Sequence, residues 1–557
     1  MKPSAPALPV SPPTALRTVA IIGLLAAPAV LLLVVLHRFA INVPVADDYF
    51  ALLQFLEHWR RDVAGLRDGA LLVWEQFYSH RAPVTRLAVL AESAWLGHVD
   101  LRLLCAITWA CWTLFGASLV AVHWRDRPGR LWLLPAVLLL MQPQGESSLL
   151  SATGFLSHPA AILLGFWATR CALTPSVRQQ SLALLLATGA TLCVANGLLL
   201  FPVLALAALS RRWWSVAATW IVAGALMWAG YLHGYSTADQ PIDNTGFSPG
   251  AFVLNLVTVA GAPLSLGTVP HGLVLAAGAV LLLAASARWF ATWPAERGGG
   301  EPAFMLFLLL TLAMMAYARI GWPADYMLQD RYRPYAVTLA AVLYLHCCGR
   351  RQAAAADRVA LPAAIAAAAA FNFLSYAIEW PQLVFAHHWA VATAENLKLD
   401  RELPLPSAPE QAAEAGQILR RATARGDLRL PETISARQAQ AILQLPASPA
   451  AAETPAWTGQ LSTDVGGVFF TPPAGVSVPP LPDVAVLMTG EGPLILPVQP
   501  RRARLADVLR QGRLLDTRYG LVLPTHNRVP GRHALYGLKK SADGGMVVLW
   551  HATVECP

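Results

Sequence analysis

The sequence predicts an α-helical polytopic membrane protein of about eleven spans, since a span needs about 20 mostly apolar residues and such runs recur up to residue 377 and not beyond. A C-terminal β-rich soluble domain follows. Composition points the same way: of 557 residues, 56% are hydrophobic and 13% charged, where soluble chains carry about 25% charged residues. From Pro404 onward the apolar runs become short and are punctuated by Pro, Gly and Asn, as in "GGVFFTPP", "PLILPV", "YGLVLPT" and "GMVVLWHATVEC". Short runs between turn residues are the pattern of strands. The expected division is a transmembrane domain over 1–380, a juxtamembrane helix and linker over 381–425, and the β-rich domain over 426–557.

The first run is uncharged from Thr18 to Leu36 and follows Lys2 and Arg17. It exceeds the roughly 7–15 apolar residues of a secretory leader, and no small-residue cleavage pattern follows it, so it reads as a retained span. The remaining spans are placed at 101–123, 131–142, 157–173, 181–196, 198–210, 213–232, 270–288, 303–319, 335–348 and 359–377. Six of the seven cysteines lie in or beside apolar segments, which implies no disulfide framework. The net charge of +8 is scattered over short loops rather than gathered on one face, a pattern of membrane topology and not of nucleic-acid binding. No internal repeat and no C-terminal targeting motif is present.

With a cytoplasmic N-terminus, Arg125, Arg127 and Arg130, Arg170 and Arg178, Arg211 and Arg212, Arg288 and Arg297, and Arg350, Arg351 and Arg358 all fall inside. The outside loops "PQGESSLLSATGFLSH" and "HGYSTADQPIDNTGFSPG" carry no Lys or Arg. An odd number of spans puts the tail outside. Two outside segments break the rule, residues 38–102 and 319–334, and basic residues placed against it need another reason. In the first, "DYFALLQFLEHWRR" sets Tyr49, Leu52, Leu53, Leu56 and Trp59 on one helical face, which predicts a helix lying in the membrane interface.

Four stretches carry candidate chemistry. In "NVPVADDYFALL", Asp47 and Asp48 follow directly on the first span. A solvated acidic turn would look the same. A partly desolvated carboxylate there can also serve as general base, its partner orienting it or holding a divalent metal. "WEQFYSHRAPVTRL" brings Glu75, His80, Arg81 and Arg86. Arginine forks suit phosphate, and histidine titrates near neutrality, so the group suits an anionic headgroup. In "VANGLLLFP", Asn196 and Gly197 read first as a turn. His158 and Glu146, at another outside end, read as solvated. "ARIGWPADYMLQDRYRP" combines Asp325 and Asp330 with Arg319, Arg331, Arg333, Tyr326 and Tyr332, either as a salt-bridged loop in the aromatic belt or as an anion site.

Through "ADDYF", "SHRAPVTRL", "ANGLLLFP" and "ARIGWPADYMLQDRYRP" the chain resembles the GT-C class of polytopic glycosyltransferases, in a bacterial branch. The likeness covers about residues 18–377 in organisation and these stretches in residue detail. It implies an inverting transfer of sugar from a polyprenyl-phosphate carrier to an envelope acceptor, whether glycan, lipid or protein. The setting it implies is the periplasmic side of the bacterial inner membrane. It implies Asp47 or Asp48 as base or metal ligand, with His80, Arg81, Arg86, Arg331, Tyr332 and Arg333 around the carrier phosphate. Two other classes remain open at this point: a transporter or flippase of lipid-linked sugar, and a non-catalytic scaffold for envelope glycan assembly.

Overall fold

The computed structural model describes the chain apart from residues 1–11, 78–79, 125, 127–129, 146–148, 237–246, 267–268, 297, 350–356, 402–408, 447–456, 463–466, 472–480, 503–514, 525–530 and 557. Among the described residues, six helices are long and apolar enough to cross a membrane: Leu16–Phe39, Leu101–His123, Trp214–Leu232, His271–Glu296, Gly300–Tyr317 and Val359–Lys398. This is fewer than the eleven spans expected. Arg130–Leu140, Ala195–Ser210 and Pro249–Leu264 are shorter apolar helices. The physical reason is visible in the second of these, where Leu200, Phe201, Val203, Leu204, Ala207 and Ala208 are buried in the bundle. An apolar run of that length serves equally well inside a protein core. Thr153–Cys171, Val177–Cys193 and Arg333–Gly349 are helices packed in the same bundle.

The last apolar helix also departs from expectation. It does not stop near residue 377 but runs from Asp357 to Lys398, 42 residues, with Pro362 and Pro381 inside it. At 1.5 Å per residue it is about 63 Å long, roughly twice the hydrocarbon thickness of a bilayer. Its second half meets the exit of the first helix: Phe39 packs edge-on to Trp380 at 5.1 Å, and Val43 clusters with Ala390 and Ala394. The acidic loop and the C-terminal domain therefore lie on one side of the apolar bundle. At the far side, His346 and Glu301 (2.6 Å), with His123 and Arg170 around the same carboxylate, tie helix ends together.

The expected linker is structured where it is described. Helix Pro409–Ala424 buries Ala412, Ala415, Ile418, Leu419 and Ala422 in the core of the bundle, against the segment that follows Asp48. Arg421 and Arg425 both pair with Glu57, and Arg60 and Arg425 both pair with Asp427. The interfacial helix expected at 49–59 is thereby corrected: Tyr49, Leu52, Leu53 and Leu56 are buried in protein. An apolar stripe seeks any apolar neighbour, and here the C-terminal segment supplies it.

Among the described residues of the tail, eight strands form one sheet of order β4-β3-β7-β8-β1-β2-β6-β5. Its strands are β1 (Trp457–Ser462), β2 (Gly467–Thr471), β3 (Val484–Thr489), β4 (Gly492–Leu496), β5 (Val498–Arg502), β6 (Leu515–Pro524), β7 (Gly531–Lys540) and β8 (Met546–Cys556). The two ends of that order, β4 and β5, are separated only by Pro497, so they are the halves of one bent strand and the sheet closes on itself. Proline, with no N–H to give to a ladder, suits the bend. Alternate residues fill the interior, among them Leu494, Leu496 and Val498, then Tyr519, Leu521 and Leu523.

The edge of β4 turned away from β3 is held to the long helix by Asn396. Its amide donates to the carbonyl of Ile495 and accepts from that residue's N–H, each at 2.8 Å, so it pairs the outward backbone groups of β4. Asn396→Leu leaves two buried backbone groups unmet, at about 1–3 kcal/mol each. The expected result is a lower unfolding temperature and faster proteolysis between helix and barrel. Wild-type behaviour in both would show that the amide pair does not seat the barrel.

Candidate active site

The acidic turn begins with Ala46, which has φ of 47°, a left-handed value unusual for a residue with a β-carbon. Directly after Asp48 the chain makes a π-helix, Tyr49–Gln54. Such wide turns are rare and concentrate at functional sites, as does backbone strain. Between these two irregularities the adjacent acids point to different tasks.

Asp48 is 0% exposed. Its carboxylate accepts from Thr153 Oγ1 (2.7 Å), Thr153 N (2.8 Å), Ser151 Oγ (3.0 Å), Val45 N (3.0 Å) and Ala152 N (3.3 Å). Two of these donors, the N–H groups of Ala152 and Thr153, belong to the unpaired start of helix Thr153–Cys171, so Asp48 caps that helix from a distant loop. Burial pushes its carboxyl above the ordinary value although the hydrogen bonds from Val45, Thr153 and Ser151 pull the other way.

Asp47 is half-buried and faces a cavity of about 360 Å³. Burial raises its carboxyl above the usual range, the Arg331 guanidinium opposes that rise, and the Asp48 charge adds to it. The cavity gathers all four candidate stretches. Asp47 comes from the first, His80 and Arg86 from the second, Asn196 from the third, and Arg319, Arg331 and Tyr332 from the fourth. His158, Thr153, Tyr235, Ser151 and Thr85 add to the polar lining, while Phe77, Val194, Met314 and Met315 are among its apolar walls.

Two of these read differently from sequence, His158 as solvated and Asn196 as part of a turn. His158 lines the cavity and lies 3.0 Å from the Tyr335 hydroxyl through Nδ1. Asn196 sits in the 3-10 turn Ala195–Leu199, held against the preceding helix by Gly197, where a β-carbon would strike the backbone of Ala190 and Thr191. Arg319 stood in the quoted motif but outside the expected ligand set. Its position at the end of Gly300–Tyr317, against the positive-inside pattern, was the available signal. Glu146 lies outside the described residues.

The arginines divide by what already occupies them. Arg81 is buried, and its guanidinium is spent on the carbonyls of Tyr231 (2.9 Å), His233 (2.6 Å) and Trp74. It therefore caps the C-termini of helices Trp214–Leu232 and Leu66–Trp74, where a cation is favoured. Arg86 reaches the carbonyls of Leu72 and Glu75, each at 2.7 Å, from the cavity wall. Arg333 is not on that wall; it pairs with Glu379 at 2.8 Å on the long helix. Arg331 stands over the rings of Tyr332 (5.1 Å) and Tyr326 (5.3 Å) and donates to the Tyr326 hydroxyl, yet its buried Nε has no acceptor among the described residues. Arg319 donates from Nε to the Tyr332 hydroxyl (3.3 Å). Arg331 and Arg319 are thus the cations with most capacity left for an anion.

His80 differs from the sequence expectation of a group titrating near neutrality. Burial, then the charges of Arg331, Arg319 and Arg86, bring its pKa down to about 4. At neutral pH it offers a neutral imidazole to the cavity.

The same geometry tests the divalent metal considered for the second carboxylate. A carboxylate offers about four lone-pair sites, and five donors already meet Asp48. Among the described residues no three His, Cys, Asp or Glu side chains converge as metal ligands. Asp47 itself faces arginine. These donors do not fit a protein-held divalent cation.

Comparison with protein-family models, with curated proteins and with solved structures gives no match for this chain.

Proposed function

We propose that the cavity is the donor site of a glycosyltransferase of the GT-C kind, which moves a sugar from a polyprenyl-phosphate carrier to an acceptor hydroxyl on the periplasmic side of a bacterial inner membrane. The observation that carries this reading is the meeting of one carboxylate, Asp47, with Arg86, Arg319 and Arg331 in a single cavity at the ends of membrane helices. The excess of positive charge suits an anionic leaving group, and the lone acid suits a base.

The step is a single displacement. Asp47 takes the proton of the acceptor hydroxyl, whose oxygen forms a bond to the anomeric carbon. The bond from that carbon to the phosphate oxygen breaks, and its electron pair leaves with the carrier phosphate. Arg331 and Arg319, preorganised by their tyrosines, meet the charge that develops there. Neutral His80 supplies a hydrogen bond without a further charge. Asp48 holds the turn to helix Thr153–Cys171 and stays out of the chemistry. The acceptor class, glycan, lipid or protein, is left to the transfer assay.

The test is transfer by the purified chain in nanodiscs, with a panel of polyprenyl-phosphate sugars and envelope extracts as acceptor. Absence of transfer together with absence of carrier-phosphate binding would overturn the reading. A second expectation separates the two arginines of "DRYR". Lysine keeps charge but loses the bidentate fork. Arg331→Lys is expected to weaken carrier-phosphate binding by about 10- to 150-fold, the loss of one charge-assisted hydrogen bond. Arg333→Lys is expected to leave that affinity unchanged and to lower the unfolding temperature through its contact with Glu379. Equal effects of both on affinity would count against the assignment.

A further inference from the structure

Three of the side chains around the cavity hold a polar atom that the protein leaves unmet. Thr85 Oγ1, Asn196 Nδ2 and Arg331 Nε are buried and make no hydrogen bond of ordinary length and angle among the described residues. Thr85 is 1% and Asn196 5% exposed, so water does not reach them freely either. Unmet buried polar atoms are costly and few in folded proteins. Three of them, from separate elements around one cavity, are accounted for together by a ligand that brings the partners.

Arg331 belongs to the anion site already described. Thr85 and Asn196 come from elsewhere. Helix Pro83–Leu96, which carries Thr85, packs on helices Thr153–Cys171 and Val177–Cys193. The first of these brings His158 to the cavity, and the second runs into the 3-10 turn that carries Asn196. The Tyr335 hydroxyl, 3.0 Å from His158 Nδ1, lies near enough to the Asn196 amide to be drawn by it. A hydroxyl and a carboxamide each give and take hydrogen bonds and carry no charge. Their complement is an alcohol, and a sugar ring presents one at most of its carbons.

Charge narrows the sugar further. An ammonium group on it would need an acid of its own, yet Asp47 is the one carboxylate among the described lining residues and the proposed displacement uses it for the acceptor proton. A carboxylate on it would compete with the carrier phosphate for the arginines. We propose that Thr85 and Asn196 select the transferred sugar, and that this sugar is uncharged, setting ring hydroxyls against Thr85 Oγ1 and Asn196 Nδ2. This rests on the cavity being the donor site and extends that reading from the phosphate to the sugar. The two residues determine specificity and take no part in proton transfer.

Thr85→Val and Asn196→Leu remove the hydrogen-bonding groups at nearly constant volume. Because Thr85 Oγ1 has no partner in the protein, Thr85→Val is expected to keep or raise the unfolding temperature of the unliganded chain, where loss of a structural hydroxyl would lower it. Affinity is then measured in nanodiscs for a short-chain polyprenyl phosphate and for the same carrier bearing glucose, galactose, mannose, glucosamine or glucuronic acid. Each variant is expected to weaken the best-bound neutral sugar carrier by about 2- to 12-fold, the loss of one neutral hydrogen bond. Neither is expected to change affinity for the sugar-free carrier phosphate. Wild type is expected to bind that neutral carrier about tenfold more tightly than the glucosamine and glucuronic acid carriers, since an unpaired charge is costly to bury. Tighter binding of a charged sugar overturns the proposal, as does equal weakening with and without the sugar, or no weakening in either variant. Thr85→Val decides alone if Asn196→Leu fails to fold. Failure of wild type to bind even the sugar-free carrier phosphate would instead remove the donor-site reading, so the two failures are told apart.

Discussion

Asp47→Asn is expected to lower the rate of sugar transfer by about 10²–10⁴-fold, the usual contribution of a general base. Carrier-phosphate affinity and the unfolding temperature should stay close to wild type. Asparagine fills the same space and removes the proton acceptor that the proposed step asks of this side chain, inside a cavity also lined by Arg86, Arg319 and Arg331. The pH dependence carries a sign. The proposed step needs the ionised carboxylate, so the rate is expected to rise as pH increases through the pKa of Asp47, which burial holds above the ordinary carboxylate value. Arg331 lowers that pKa. Arg331→Gln should therefore move the acid limb of the rate profile to higher pH, beyond any effect on affinity. A profile that does not move, with Asp47→Asn retaining full transfer, would remove Asp47 from the mechanism.

The second large effect is on folding. Asp48→Ala takes the acceptor away from five donors, of which the N–H groups of Ala152 and Thr153 have no helical partner to turn to. Leaving two buried donors unmet costs about 1–3 kcal/mol each, so a loss of roughly 2–6 kcal/mol is expected. It should appear as a markedly lower unfolding temperature in detergent and as exposure of residues 45–56 to proteolysis. Asp48→Asn should fall between the two, because it keeps one acceptor oxygen and presents an amide to the remaining donors. An Asp48→Ala chain that is fully stable and inactive would exchange the roles of the two acids.

The sequence by itself determined the class of the protein and the stretches from which the site is built. Apolar runs of span length cannot stay in water, and arginines on the wrong side of a membrane need a reason, so hydropathy and charge placement pointed to membrane helices and to the loops that meet in the cavity. Hydropathy could not decide how many of those runs cross, because Ala195–Ser210 satisfies the same pattern whether lipid or protein surrounds it. Nor could periodicity tell which stripe of the first loop is covered by the rest of the chain. Tyr49, Leu52 and Leu56 are covered by a helix more than 350 residues later in the chain, while Leu87 and Trp95 are left bare. The roles within the site depended on tertiary structure for the same reason. Asp47 and Asp48 are neighbours of one chemistry, separated only when Ser151, Ala152 and Thr153 arrive to saturate one of them. Arg81, Arg331 and Arg333 carry the same guanidinium, and what each can hold was settled by whether helix carbonyls, tyrosine rings or Glu379 reached it first.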